Sequence, residues 1–187
     1  TIAFRDQLMF GAARVPRRFE HLNGLLSFDW RGAAWRLALT GAAWRGSDPE
    51  LPMDRLTGVI ATDEQGWTFE ALRVQTPRST YTVDGTVRRD NGATQLALAV
   101  NAERFAFQEW GGMLGGLRSI AVESDFTAHL TGPVNRMQTT IAMRSTGGGI
   151  SGQFVLDSSV PGWHGSGFAE VQRLDLARWF NRPDRPS

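Results

Sequence analysis

The sequence predicts an all-β chain of antiparallel neighbours with little helix. Three observations carry this. From about residue 22 onward, apolar and polar residues alternate with a period of two, the pattern of a strand with one wet and one dry face. Glycine- and proline-bearing turn signals separate the alternating runs at regular intervals, with no helical stretch between them. The segments with any helical pattern, 5–12, 103–118 and 175–180, hold only short turns. The second of these contains Gly111, Gly112, Gly115 and Gly116, each costing about 1 kcal/mol relative to alanine inside a helix.

The elements follow in order. Leu22, Gly24, Leu26, Phe28 and Trp30 alternate, and Trp35, Leu37 and Leu39 resume across Arg31-Gly32. Trp67, Phe69 and Ala71 lead into Leu72 and Val74. That change of parity predicts a β-bulge. Tyr81, Val83, Gly85 and Val87 form the next strand. Asp90-Asn91-Gly92 then turns the chain, since Asn and Gly tolerate positive φ. The return strand carries Leu96, Leu98, Val100, Phe105 and Phe107. Another runs from Ile120 and Val122 through Phe126, Ala128 and Leu130 to Gly132-Pro133. Met137, Thr139, Ile141 and Met143 follow, then a turn at Gly147-Gly148-Gly149. Ile150, Gly152, Phe154 and Leu156 return, Pro161-Gly162 turns, and Gly167, Ala169 and Val171 close the series.

Composition narrows the function. With 187 residues, of which 41% are hydrophobic, the chain has enough apolar side chains for an ordinary folded domain. The net charge of +1 gives no reason to expect nucleic acid or a strongly charged partner. All 20 basic residues are arginine, a usage read as codon bias. The absence of cysteine excludes disulfides, thiolate nucleophiles and cysteine-based zinc sites. No apolar run approaches the roughly 20 residues of a membrane-spanning helix.

The chain also repeats itself. Glu103-Arg104-Phe105-Ala106-Phe107-Gln108-Glu109-Trp110 parallels Gln172-Arg173-Leu174-Asp175-Leu176-Ala177-Arg178-Trp179, 69 positions later. Val83-Asp84-Gly85-Thr86-Val87 parallels Ile150-Ser151-Gly152-Gln153-Phe154, 67 positions later. A longer loop in the second copy accounts for the drift. Such a unit cannot bury its apolar face alone, and stacking copies supplies a continuous interior.

Catalytic signals are weak. Gly147-x-Gly149-x-x-Gly152 matches the dinucleotide fingerprint literally, but the alternation after it predicts a strand where a helix is required. His21, His129 and His164 lack the spacing of metal ligands on one element. Ser166 lies near His164 without a nucleophile elbow. Asp29, Asp84, Asp125 and Asp157 fall on polar strand positions or turns, where solvated faces are the usual reading. The seven tryptophans, among them Trp30, Trp35, Trp44 and Trp67, fit a core or groove lining better than a carbohydrate surface. Met113, Leu114 and Leu117 with Trp110 offer a small interfacial patch.

Several stretches together resemble the AsmA/TamB-like family of envelope proteins. They are Ser79-Thr-Tyr-Thr-Val-Asp-Gly-Thr-Val87, Leu130-Thr-Gly-Pro-Val134, Gly147-Gly-Gly-Ile-Ser-Gly-Gln-Phe-Val-Leu-Asp157 and Gly167-Phe-Ala-Glu-Val-Gln-Arg-Leu-Asp-Leu176. The likeness spans about residues 20–183 and is one of pattern. It implies a long antiparallel curved sheet forming an open, taco-like apolar groove, with no catalytic residues, cofactor or metal. The implied location is the periplasm, in a parent anchored in the inner membrane. The implied partners are phospholipid acyl chains, an outer-membrane β-barrel protein and the remainder of a longer chain. The groove would be lined by Val83, Val87, Leu96, Leu98, Val100, Phe105, Phe107, Ile120, Val122, Phe126, Ile141, Met143, Ile150, Phe154 and Leu156. The reading divides the chain into a lead-in (1–20), a first β repeat region (21–110), a second (111–183) and a linker (184–187) to further chain. Alternation alone serves a packed sandwich or barrel equally well. A β-module binding a small ligand or carbohydrate, and a purely structural subunit of a membrane complex, therefore stand beside the groove.

Overall fold

Alternating side chains leave each strand with one apolar face. The chain satisfies all of them at once by laying every strand in a single sheet. A computed structural model describes residues 16–90, 92–157 and 164–180. They form ten strands: β1 (Arg18–Arg31), β2 (Ala34–Ser47), β3 (Leu51–Asp63), β4 (Gly66–Gln75), β5 (Thr80–Asp90), β6 (Ala93–Ala106), β7 (Glu123–Pro133), β8 (Arg136–Ser145), β9 (Gly148–Asp157) and β10 (His164–Gln172). Every strand pairs antiparallel with its sequence neighbours, so the sheet is a plain meander from β1 to β10. It is curved and open: β1 and β10 are edges and do not meet.

The meander creates two rims. At one, β1–β2, β3–β4 and β7–β8 are joined by two-residue connections. At the other, the β2–β3, β4–β5 and β6–β7 connections are longer, while β8–β9 turns in two residues. Between β6 and β7 the chain makes two 3₁₀ turns, Phe107–Trp110 and Gly115–Ser119, and after β10 it makes one short helix, α1 (Leu176–Phe180). We call these the open and capped rims. The ten described strands form one open sheet, neither a two-sheet sandwich nor a closed barrel.

The predicted bulge is present. Pairing of β4 with β5 shifts between Phe69 and Leu72, and Ala71 has φ +44°. Opposite it on β3, Gly58 has φ +117°, and a Cβ there would lie 2.4 Å from the Ala71 carbonyl oxygen. Only glycine fits that approach.

Other expectations need correction. Strand β3 and the second half of β2 are additional to the strands read from alternation. Ile120 and Val122 do not belong to β7, which begins at Glu123; they end the second 3₁₀ turn and follow it. Phe107 opens the first 3₁₀ turn and does not continue β6. The first strand begins at Arg18, inside the expected lead-in. The expected turn at 5–12, Asn91, Pro161-Gly162 and the tail 184–187 lie outside the described residues.

Candidate functional site: one apolar face of the sheet

Directly opposed residues in antiparallel strands project to the same face, so the pairing register defines cross-sheet rows. One row crosses all ten strands: Phe28, Leu37, Ile60, Phe69, Gly85, Leu98, Leu130, Thr139, Phe154, Gly167. A second does the same nearer the capped rim: Gly24, Ala42, Leu56, Val74, Tyr81, Ala102, Phe126, Met143, Ile150, Val171. Between them, Leu72, Val83, Val100, Ala128, Ile141, Gly152 and Ala169 make a shorter row. Thr139 is the one non-tyrosine polar residue in these rows. The face is thus a continuous apolar strip, perpendicular to the strands.

The expected lining residues mostly fall on it. Val83, Val87, Leu96, Leu98, Val100, Phe126, Ile141, Met143, Ile150, Phe154 and Leu156 share this face by register. Phe105 joins them past a bulge in β6, with its ring 5.3 Å from that of Phe126. Phe107 sits in the cap, between Phe105 and Trp179. Ile120 and Val122 lie in the connection, where Val122 is buried. The aromatic side chains of the first strands complete the face. Trp30, Trp35 and Trp67 stand in one row with Thr62 at the open rim, and the Trp35 and Trp67 rings meet edge to face at 5.3 Å.

The opposite face is polar. Arg36 forms a two-pronged pair with Glu70 (2.8 and 2.7 Å), and Arg73 does so with Glu103 (2.8 and 3.0 Å). These bonds hold both carboxyls below and both guanidiniums above their usual ranges. The pairs are exposed, so they orient the face more than they stabilise it. His129 lies on this face, opposite Ala99 and Thr140.

At the capped rim a polar knot ties the first cap to the sheet. Ser79, fully buried, accepts from the Ala106 N–H (3.1 Å) and the Trp110 indole N–H (3.3 Å). It donates to Glu109 (2.6 Å), which also accepts from Thr76 Oγ1 (2.5 Å) and the Arg78 N–H (3.2 Å). The Trp110 ring then stacks on Phe105, 5.9 Å away and 7° from parallel. Tyr81 lies under the same cap. Burial, and then the Glu109 charge, push its phenol well above the ordinary range. The second cap is built alike: Trp179 donates its indole N–H to the Gly147 carbonyl (2.9 Å), and the Asp175 N–H donates to the same oxygen (2.9 Å).

The chemical candidates disperse. Gly148 opens strand β9, so no helix follows the glycine run. Ser166 and His164 lie along edge strand β10. Asp84 accepts from the Ala71 N–H (2.6 Å), Asp29 pairs with Arg31, and Asp125 lies opposite Arg144. Among the described residues no three His, Cys, Asp or Glu side chains are placed to hold a metal ion. No described helix is long and apolar enough to cross a membrane. Met113, Leu114 and Leu117 lie in and between the two 3₁₀ turns, with Leu114 exposed, and form no longer helix.

Nothing matches the chain: no protein-family model, no curated protein and no solved structure.

Proposed function

We propose that this chain is a non-catalytic segment of a lipid-conducting groove in the periplasm, of the AsmA/TamB-like kind, its parent anchored in the inner membrane. The observation that carries the reading is the continuous apolar strip. A folded domain ordinarily buries such a face under a second layer. Here the strip crosses ten strands without one, with the polar pairs of the opposite face turned to water.

An acyl chain is the natural occupant of such a strip. Each methylene transferred from water contributes about 0.8 kcal/mol. The strip offers no charged group to bind a headgroup, so the headgroup stays at the rim. The open rim, with Trp30, Trp35 and Trp67, suits that boundary, because indole rings favour interfaces between apolar and polar surroundings. The same reading makes an outer-membrane β-barrel protein and further repeats of a longer chain the macromolecular partners.

Native mass spectrometry with a palmitoyl-oleoyl phospholipid tests this. The account expects lipid adducts that Ile141→Asp, on the strip, removes and Thr140→Asp, on the opposite face, retains. Absence of adducts in the parent chain, or equal loss from both variants with the fold intact, contradicts it.

A further inference from the structure

Natural edges are blunted by charged residues, proline, bulges or covering segments. Among the described residues the middle of each edge strand is lightly protected: β1 is bulged at His21-Leu22 but uncharged from Leu22 to Phe28. Strand β1 has fourteen residues, with no lysine or proline, and exposes Leu22 (70%), Leu25 (68%), Phe28 (56%) and Trp30 (69%). Strand β10 exposes Phe168 (67%) and Val171 (49%), and its one carboxylate is Glu170.

The repeat shows what the β10 edge is shaped to receive. Trp110 and Trp179 cap their units alike, which makes β10 the counterpart of β6. The outer edge of β6 is covered by β7, a strand that starts at the capped rim and runs antiparallel to it. Strand β1 also starts at the capped rim. Placed beside β10 it would run antiparallel and present the same face.

The rows fix the register of that pairing, because both full rows end on β1 and β10 four residues apart. Extending them puts Phe28 opposite Gly167 and Gly24 opposite Val171, with Leu26 opposite Ala169 between. Large residues on one edge meet small ones on the other. Gly167 has no alternative, since a Cβ there would lie 2.1 Å from the Gln153 carbonyl oxygen. On the polar face Asp29 meets Ser166 and Ser27 meets Phe168; Leu25 against Glu170 is the one mismatch.

We infer that β10 of one copy pairs with β1 of a second copy, continuing the sheet and its apolar strip from molecule to molecule. The contact is head-to-tail, so it propagates into open chains and does not close as a symmetric dimer. It requires no lipid, so its test is separate from that of the acyl-chain reading; where the groove reading gives the two edges to further repeats of one chain, this inference gives them to a second copy.

Sedimentation velocity in lipid-free buffer over a concentration series tests it. The expected result is growth past the dimer, weakened about tenfold or more by Phe28→Lys, a lysine on an exposed edge. The chain lacks cysteine, so engineered thiols report the register. Oxidising a mixture of Leu26→Cys and Ala169→Cys chains is expected to link the two variants, with far less linking of either alone. Circular dichroism matching the parent shows that each variant is folded. A monomer at every concentration overturns the inference. So does Leu26→Cys linking to itself as well as to Ala169→Cys, the mark of symmetric β1–β1 pairing.

Discussion

Trp110 and Trp179 are structural equivalents: each donates its indole N–H back to the turn that opens its own terminal hairpin. For Trp110 the acceptor is Ser79 Oγ at 3.3 Å, between β4 and β5; for Trp179 it is the Gly147 carbonyl at 2.9 Å, between β8 and β9. The backbone N–H four residues before each tryptophan, from Ala106 and Asp175, goes to the same acceptor residue. The 69-residue sequence repeat is therefore a repeat of one capping device. Phe107 touches Trp179, at 6.2 Å between ring centres, so the two caps adjoin.

The caps are where the single-layer sheet finds depth, and removing one is expected to be costly. Trp179→Ala deletes a buried ring, a change worth about 3–5 kcal/mol. Trp179→Phe keeps the ring and loses one hydrogen bond, at about 1 kcal/mol. Urea denaturation monitored by far-UV circular dichroism measures both. Equal losses for the two variants would show that the bond, not the ring, holds the cap.

Ser79→Ala removes one hydroxyl and strips partners from three groups: the Ala106 N–H, the Trp110 indole N–H and Glu109. The buried Ala106 N–H is left without its acceptor, a loss of about 1–3 kcal/mol, while Glu109 keeps Thr76 and Arg78. The expected loss is thus larger than for an isolated surface serine, and Glu109→Gln should cost less, since one oxygen remains to accept. Denaturation midpoints of the two variants check the order.

Gly85 on β5 has φ +129°, and a Cβ would lie 1.9 Å from the Ala97 carbonyl oxygen. Gly85→Ala therefore forces β5 from β6 at the centre of one of the two ten-strand apolar rows. The expected outcome is a loss well above the roughly 1 kcal/mol of an ordinary strained glycine site. Gly92→Ala, also at positive φ but with open space around it, should show only the backbone penalty. Parallel melts of the two variants separate crowding from conformation.

Stability should fall in alkali through Tyr81. Its folded pKa is raised above the unfolded value of about 10. The neutral phenol thus favours the fold at all lower pH, and that contribution is lost as pH rises past about 10, by at most about 1.4 kcal/mol per pH unit. Tyr81→Phe should flatten this limb in urea melts between pH 8 and 11. Glu70 and Glu103 act with the opposite sign. Their lowered pKa values help the fold above the unfolded carboxyl range and stop helping as pH falls below it. Both are exposed, so the acid limb should be shallow and salt-sensitive.

Much of this fold was legible because period-two alternation and a flat register are the same fact seen in one and two dimensions. Spacing alone groups Val83 with Val87 and Leu98 with Val100 within their own strands; it is the pairing register that puts these strands' apolar sides on one face. The parity change at Ala71-Leu72 located a bulge correctly. Strand β3 was hidden by a bulge of its own. Met53 and Leu56 stand three residues apart across an earlier register shift, and Gly58 and the run Val59-Ile60-Ala61 follow without alternation. Ile120 and Val122 misled in the other direction, since an extended connector alternates as a strand does. The capping knot was invisible because Thr76, Ser79 and Glu109 meet through folding and carry no motif.

The central claim is that one face of this sheet takes acyl chains and the other does not. Photo-crosslinking with p-benzoylphenylalanine at Leu98 and Ile141, and at their strand neighbours Ala97 and Thr140 on the opposite face, tests it most directly. With a radiolabelled acyl-chain phospholipid, labelling is predicted at Leu98 and Ile141 and at neither neighbour. Equal labelling on both faces, or none at Leu98 and Ile141 in a folded chain, would contradict the account.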